Sequence, residues 1–250
     1  MEIKLSEEKD VYKKDNMVMR PIEPWSHNIH LLLNHFYNNG LPVPKIIKTD
    51  NTYEYLEYIN GEQIHPYKWN NESLVEIANL VKKLHNTAKT FEHNINMEWK
   101  PWYLRELGKA ELYSHGDIAP WNIITNENKI IGLIDWEYAG PIDPIIELAR
   151  VCWLFPQLVD DDLGKLYKLP SSKERGEQVR LIIDIYGLSK KEREIFFDKI
   201  IETIICETAH EAIDANITFN SIGNLWGMAW RNRSLYWIWR NKNILKKAII

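Results

Sequence analysis

The stretch YSHGDIAPWNII (residues 113–124) places a His, a Gly, an Asp, a Pro, a Trp and an Asn between apolar residues. A second stretch, GLIDWE (residues 132–137), ends a short apolar run in an acidic residue. Short apolar runs bounded by turn residues are typical of buried strands. We therefore expect two polar loops separated by a hairpin, which brings together the side chains of Asp117, Asn122 and Asp135.

These three side chains have the chemistry that phosphoryl transfer from a nucleoside triphosphate requires. A carboxylate has to accept or orient the proton of the attacking hydroxyl, and hard oxygen ligands have to hold Mg²⁺ against the phosphates. The sequence predicts Asp117 as the base, Asn122 and Asp135 as the magnesium ligands, and ATP or GTP as the phosphate donor. Most of the rate then comes from positioning and from neutralisation of charge.

The two motifs together resemble the catalytic loop and the metal loop of the aminoglycoside phosphotransferase and choline kinase-like family, which is similar to protein kinases in fold. Protein kinases carry H-R-D-x-x-x-x-N and D-F-G at the matching places. The resemblance implies that His115 packs beneath the catalytic loop and forms hydrogen bonds to the backbone. It also implies that Glu147, in the stretch GPIDPIIELAR, hydrogen-bonds back to that loop as structural support.

Four further stretches resemble the subgroup of this family that includes trifolitoxin immunity proteins, and the likeness runs from about residue 17 to residue 245. These stretches are VMRPIEPWSHNIHLLL, LEYINGE, VKKLHNTAKTF and DIYGLSKKER. The implied fold is α+β, a protein kinase-like bilobal fold with a reduced N-lobe and a larger C-lobe. We place a small β-rich N-lobe with one helix at residues 1–62, and a helical C-lobe with both loops at residues 63–250.

Hydrophobic patterning agrees with this division. The sequence VYKK-DN-MVMRP predicts a hairpin near the start of the chain. From about residue 143 onward the apolar spacing is helical, and it predicts helices over 144–155, 174–187, 190–215 and 220–247.

The part expected to hold the nucleotide departs from the kinase pattern. A kinase-like N-lobe has a Gly-rich loop over the phosphates and a strand Lys paired with a helix Glu. This chain has no Gly before Gly40, and Arg20 stands where the strand Lys is expected. Arg is a bidentate phosphate ligand but no direct equivalent of Lys. By position and resemblance, the backbone of Glu57, Tyr58 and Ile59 is the linker that receives the adenine ring.

Candidate acceptor residues lie in the C-terminal helices. Glu207, Glu211 and Asp214 fall on one helical face at i, i+4 and i+7, and they could attract a cationic small molecule. Trp230 belongs to an aromatic stripe of the last helical region, for which two interpretations stay open. The stripe packs in the core, or one of its residues lines the acceptor pocket. The acceptor is therefore expected to be a small molecule with a hydroxyl, with cations among the candidates.

Composition excludes several other classes. A net charge of −4 argues against a nucleic-acid binder. Two cysteines without metal-ligand spacing argue against a disulfide framework and fit a reducing cytoplasm. The charged start predicts no signal peptide, and the longest apolar runs predict no membrane span. The expected protein is cytoplasmic, and either a monomer or a homodimer.

Two functions from different classes stay open at this point. The first is an active Mg²⁺-dependent phosphotransferase with an alcohol group as acceptor, which the intact Asp117, Asn122 and Asp135 favour. The second is a non-catalytic nucleotide- or toxin-binding protein of the immunity type on a kinase-like scaffold. The missing Gly-rich loop and strand Lys favour that alternative. A protein kinase is disfavoured, because only seven residues separate Asp135 from Asp143 and leave no activation segment.

Overall fold

The computed structural model describes residues 2–6, 9–63, 69–92, 97–127, 129–218, 220–223 and 225–250. Its N-terminal part is a five-stranded antiparallel sheet with the strand order β1-β2-β3-β5-β4. The strands are β1 (Glu2–Lys4), β2 (Tyr12–Lys14), β3 (Met17–Pro21), β4 (Ile46–Thr49) and β5 (Tyr53–Glu57). The predicted hairpin is present as β2 and β3. β1 lies outside the sequence prediction, because its three residues are all exposed and no apolar pattern marks them.

Helix α1 (Ser26–Asn38) joins the sheet to the rest of the molecule. Its apolar face is buried, and it packs against β4 and against helix α2 (Asn71–Ala88). The ring of Phe36 contacts Trp136, with ring centroids 5.3 Å apart. Because Trp136 directly follows Asp135, this contact ties the helix to one of the two motif loops.

The C-terminal part is helical. After α2 come α3 (Pro144–Leu154), α4 (Asp161–Leu166), α5 (Ser172–Tyr186), α6 (Lys190–Asp214), α7 (Trp226–Arg240) and α8 (Lys242–Ile249). The core forms where α2 packs on α5, α5 on α8 and α3 on α6. The single helix predicted over 220–247 is wrong, since the chain is helical only from Trp226 and breaks at Asn241. The Asn241 side chain donates to the Trp237 carbonyl at 2.9 Å and competes there with the helical backbone.

Two small antiparallel strand pairs carry the motif loops. β6 (Leu112–Ser114) pairs with β9 (Gly140–Ile142), and β7 (Ile123–Asn126) pairs with β8 (Lys129–Leu133). The loop from β6 to β7 is residues 115–122, and the loop from β8 to β9 is residues 134–139. This pairing places both loops side by side, as the spacing of the motifs predicts.

The linker after β5 lies against the C-terminal part. Glu62 and Thr125 exchange two backbone hydrogen bonds of 2.8 Å. A Cβ on Gly61 would lie 2.5 Å from the Thr125 carbonyl oxygen, so the close approach requires glycine. The predicted α+β class, with a small β-rich part and a larger helical part, is confirmed by this architecture. Among the described residues, no helix has the length and apolar character that crossing a membrane requires.

Candidate active site

His115 ties the two motif loops to each other. Its Nε2–H donates to the carbonyl of Ile134 at 2.8 Å, and its Nδ1 accepts the Asp117 backbone N–H at 3.1 Å. These bonds fix the Nε2–H tautomer. The ring is fully buried, and burial lowers the pKa of His115 below its ordinary value. His115 is therefore a neutral structural bridge that sets the backbone of Asp117.

Gly116 occupies a position that no side chain fits. Its φ is 77°, and an added Cβ would lie 2.3 Å from the Tyr138 carbonyl oxygen. The Gly116 N–H donates to Glu147 Oε1 at 2.5 Å, and its carbonyl accepts from the Trp102 indole at 2.7 Å. Both loops can approach each other this closely only with glycine at this place.

Glu147 holds the catalytic loop from helix α3. Its Oε1 accepts the Gly116 N–H, and its Oε2 lies 2.7 Å from His85 Nε2. His85 in turn bonds the Tyr186 hydroxyl through Nδ1 at 2.8 Å. Burial opposes ionisation of Glu147, but the hydrogen bond and charge of His85 hold the pKa of Glu147 below its ordinary value. The carboxylate is thus a charged, fully buried support.

Asp117 and Asn122 form one unit. The Asn122 amide nitrogen donates to both Asp117 Oδ2 and the Asp117 carbonyl, each at 2.9 Å. With both amide hydrogens turned to Asp117, the Asn122 oxygen points away and is the atom suited to a hard cation. Burial raises the pKa of Asp117 above its ordinary value, although the charge of Arg150 opposes this rise.

Asp135 stands on the neighbouring loop in a strained backbone conformation. Its φ and ψ are 61° and 69°, in the left-handed region. Such conformations in residues other than glycine cluster at functional sites. Trp136 behind it is buried and donates from its indole to the Leu133 carbonyl at 2.8 Å. The Asp135 side chain is exposed, so its carboxylate is accessible to a cation.

Arg150 pairs directly with the predicted base. Its Nη2 lies 2.8 Å from Asp117 Oδ1, and its Nε donates to Glu207 at 2.9 Å. The side chain of Arg150 is only 3% exposed. Asp117 therefore has one oxygen on Arg150 and one on Asn122, and the orientation of its carboxylate is fixed from both sides.

The acidic face of α6 corrects part of the predicted acceptor site. Glu207 is buried, and each of its carboxylate oxygens binds an arginine. One oxygen lies 2.9 Å from Arg150 Nε and the other lies 2.8 Å from Arg231 Nη2. Arg231 also pairs with Glu211. Because these carboxylates neutralise arginines of the protein itself, Glu207 has no oxygen left for a cationic acceptor. Asp214 is exposed at the end of the helix and has no ion pair within the described part of the chain.

Trp230 lines a cavity of about 230 Å³ beside the catalytic loop, together with Pro120 and Trp121. It stacks on the fully buried Trp153, with ring centroids 5.1 Å apart. The structure thus places this residue of the aromatic stripe partly in the core and partly at the cavity wall.

Arg20 has a partner that the sequence did not indicate. It pairs with Glu54, the residue opposite it on β5, and His30 of α1 pairs with the second oxygen of the same carboxylate. Glu54 is 1% exposed. Burial opposes its ionisation, but the hydrogen bond from His30 and the charge of Arg20 lower the pKa of Glu54. Glu54 therefore holds the guanidinium of Arg20, and His30 of the helix binds the same carboxylate.

The predicted adenine linker is largely engaged within the sheet. The Glu57 N–H donates to the Lys45 carbonyl at 2.8 Å, and the Tyr58 N–H donates to the Asn16 carbonyl at 2.9 Å. These two donors are therefore not available to a base, which corrects the expectation for them. Ile59 lies against the second strand pair, since a Cβ on Gly132 would approach its Cδ1 within 2.8 Å.

Lys9, which lies between β1 and β2, reaches the loop of Asp135. It pairs with Glu137, which also pairs with Lys100. Glu137 follows Asp135 by two residues. The ion pair of Lys9 with Glu137 thus holds the N-terminal sheet next to the loop of Asp135, and the sequence between β1 and β2 contains no glycine.

Three residues of the site were not anticipated, although each leaves a signal in the sequence. Arg150 is a charge inside the apolar helix PIIELARVCWL, and such a charge requires a buried partner. Glu54 takes an inward position in the alternating strand YEYLE, and His85 follows the buried stripe of α2. The signals mark buried polar groups but do not identify their partners.

Comparison with known proteins gives matches at three levels. The model of the phosphotransferase enzyme family matches residues 93–169. The chain is 37% identical over 246 residues to the trifolitoxin immunity protein of Rhizobium leguminosarum bv. trifolii, covering 96% of this chain and 94% of that one.

Among solved structures, the chain is similar to an amicoumacin kinase in complex with AMP-PNP and Ca²⁺, with a TM-score of 0.71 and 11% identity, covering 98% of this chain and 88% of that one. It is also similar to a choline/ethanolamine kinase family protein from Mesorhizobium loti, with a TM-score of 0.58, 14% identity and coverages of 96% and 88%. An ADP-bound aminoglycoside phosphotransferase gives a TM-score of 0.56, 12% identity and coverages of 100% and 93%. At these identities the likeness concerns the fold.

Proposed function

Because the chain belongs to the phosphotransferase enzyme family, in the subgroup of the trifolitoxin immunity protein, we propose that it is a small-molecule kinase. It transfers the γ-phosphate of ATP or GTP to a hydroxyl of a small acceptor, in a Mg²⁺-dependent reaction. A cytoplasmic location belongs to this proposal, since that compartment supplies the nucleotide and the metal. The observation that carries it is the Asp117–Asn122 unit, which His115 holds to the loop of Asp135.

The residues present fit a magnesium–nucleotide site. Asn122 offers an amide oxygen, and Asp135 offers an exposed carboxylate on a strained loop. Oxygen ligands of this kind suit Mg²⁺, which is bound through one or two carboxylates plus the phosphates of the substrate. When bound, the metal neutralises the phosphates. Arg20, oriented by Glu54, is the candidate phosphate ligand of the sheet.

Asp117 is the proposed base. Its carboxylate is fixed by Arg150 and Asn122, so an acceptor hydroxyl can bond a remaining lone pair without reorganising the loop. The transition state of phosphoryl transfer is loose, and strong basicity is not required of the carboxylate. Arg150 favours the ionised form of Asp117, which is the form that accepts the proton. Positioning is therefore the main contribution of these residues.

A second candidate is a non-catalytic protein of the immunity type that binds a nucleotide or a toxin. The relative at 37% identity is named for immunity. Two observations favour this reading: Arg150 already occupies one oxygen of Asp117, and the connection from β1 to β2 has no glycine. The kinase and the nucleotide-binding form of the second candidate both predict nucleotide binding, whereas the toxin-binding form does not. Only the kinase predicts turnover that depends on Asp117.

The test is thermal unfolding with ATP and with GTP, each with and without Mg²⁺. At ten times the dissociation constant, bound nucleotide adds about 1.4 kcal/mol, which raises Tm by roughly 3–6 °C for a chain of this size. We expect the rise only with metal, and we expect Asp135→Ala to remove its metal dependence. Asp117→Asn should keep the rise but lose the release of ADP or GDP across a panel of hydroxylated acceptors. No rise with either nucleotide at millimolar concentration would exclude the kinase.

A further inference from the structure

The cavity beside the catalytic loop has an aromatic, uncharged wall. Six of its lining residues are Pro120, Trp121, Trp153, Tyr167, Trp226 and Trp230, and no lining residue within the described part of the chain carries a charge. Pro120 and Trp121 belong to the loop that starts at Asp117, so the cavity adjoins the proposed base. Its volume, about 230 Å³, lies below the range of whole drug-sized sites. It therefore suits one ring group of a ligand.

The charges around the cavity do not favour a cation inside it. The guanidinium of Arg150 lies 5.7 Å from the ring of Trp121, and that of Arg231 lies 5.3 Å from the ring of Trp230. Two of the aromatic walls are thus already paired with cations of the protein. The neighbouring carboxylates Glu207 and Glu211 are used by the same arginines. A ligand cation would therefore lie near Arg150 and Arg231, and among the described residues of the lining none is acidic.

Trp153 supports the cavity wall from behind. The indole N–H of Trp153 is buried and makes no hydrogen bond within the part of the chain that the structure describes. Because neither this N–H nor the rest of the Trp153 side chain has exposed surface, a ligand in the cavity does not reach it. The Trp153 ring stacks on the ring of Trp230, and this contact holds Trp230 at the cavity wall.

We propose that this cavity binds a flat, neutral aromatic or conjugated ring group of the phosphate acceptor. Stacking between the tryptophans selects a flat group, and the paired arginines select against cations. The inference rests on the proposed function in one respect, because the ring is taken to belong to the molecule whose hydroxyl faces Asp117. It replaces the expectation of a cationic acceptor with one of neutral acceptors.

Calorimetric titration without nucleotide tests the cavity separately from catalysis. The probes are naphthoxyethanol, a neutral alcohol, and naphthylmethyltrimethylammonium, a cation with the same ring system. We expect naphthoxyethanol to bind at least ten-fold more tightly than the cation. Trp226→Ala, at a residue 47% exposed, should weaken its binding by about ten-fold. The matched control is Trp239→Ala, 56% exposed on the same helix and outside the cavity, which should bind as the unchanged protein does.

Tyr167→Ala, at the end of α4, is the second variant. It tests the same cavity independently if Trp226→Ala does not fold. Its expected effect is a similar loss of naphthoxyethanol affinity. Tighter binding of the cation, no binding of naphthoxyethanol at millimolar concentration, or equal affinity in the Trp226 and Trp239 variants would overturn the proposal. If naphthoxyethanol binds as expected but magnesium nucleotide gives no Tm rise, the kinase proposal fails and the cavity assignment stands.

Discussion

Replacing Arg150 by Met should destabilise the protein, and replacing Asp117 by Asn in the same chain should restore part of the loss. Arg150 lies 2.8 Å from Asp117 and 2.9 Å from Glu207, with 3% of its side chain exposed. Without it, Glu207 keeps Arg231, but Asp117 keeps only the Asn122 amide. Breaking a buried pair in this way costs about 3–5 kcal/mol, because a buried charge is left uncompensated.

The double variant removes that uncompensated charge. A neutral replacement of a buried ion pair is often close to neutral in stability, so Arg150→Met with Asp117→Asn should be about 2 kcal/mol more stable than Arg150→Met alone. Urea unfolding followed by tryptophan fluorescence measures all three variants. Arg180→Met is the control, since its pair with Asp184 is 41% and 45% exposed and should contribute less than about 1 kcal/mol. Additive losses in the double variant would refute the direct Asp117–Arg150 coupling.

Three further predictions concern the loop, the nucleotide and pH. Gly116→Ala should lower the free energy of unfolding by at least about 2 kcal/mol, because its φ is 77° and the Tyr138 carbonyl blocks a Cβ. The control is Gly164→Ala in α4, where a Cβ has room and the free energy of unfolding should not fall. Thermal unfolding measures both variants. Arg20→Ala should raise the nucleotide KM several-fold in steady-state kinetics with kcat little changed; an unaltered KM would remove Arg20 from the site. The pKa of Glu147 is lowered in the folded state, so its stabilising contribution is complete above the ordinary carboxyl range and is lost as pH falls through the lowered folded value. Urea midpoints at acid and neutral pH should therefore differ less in Glu147→Gln than in the unchanged protein.

The sequence was sufficient for features that depend on neighbours along the chain. HGDIAPWN and GLIDWE predicted two loops around a hairpin, and β6 to β9 place the loops side by side. The 3.6-residue periodicity predicted α3, α5 and α6, because a helix buries one face at that spacing. The β2–β3 hairpin followed from its turn residues in the same way. Where the apolar pattern was absent, as in β1, or where a side chain competed with the backbone, as at Asn241, local reasoning failed.

The tertiary structure decided which buried charges meet. Arg20 of β3 forms an ion pair with Glu54 of β5. Glu147 pairs with His85 of α2, and Asp117 pairs with Arg150 of α3. A buried charge is costly unless a partner of opposite charge or a hydrogen bond compensates it. This rule predicts the chemical type of the partner, but it does not predict which residue of the sequence the partner is. The partner is selected by packing of elements distant in sequence. Sequence alone therefore determined the phosphotransferase motifs, whereas the fold determined that the acidic face of α6 neutralises arginines and leaves an uncharged aromatic cavity beside Asp117.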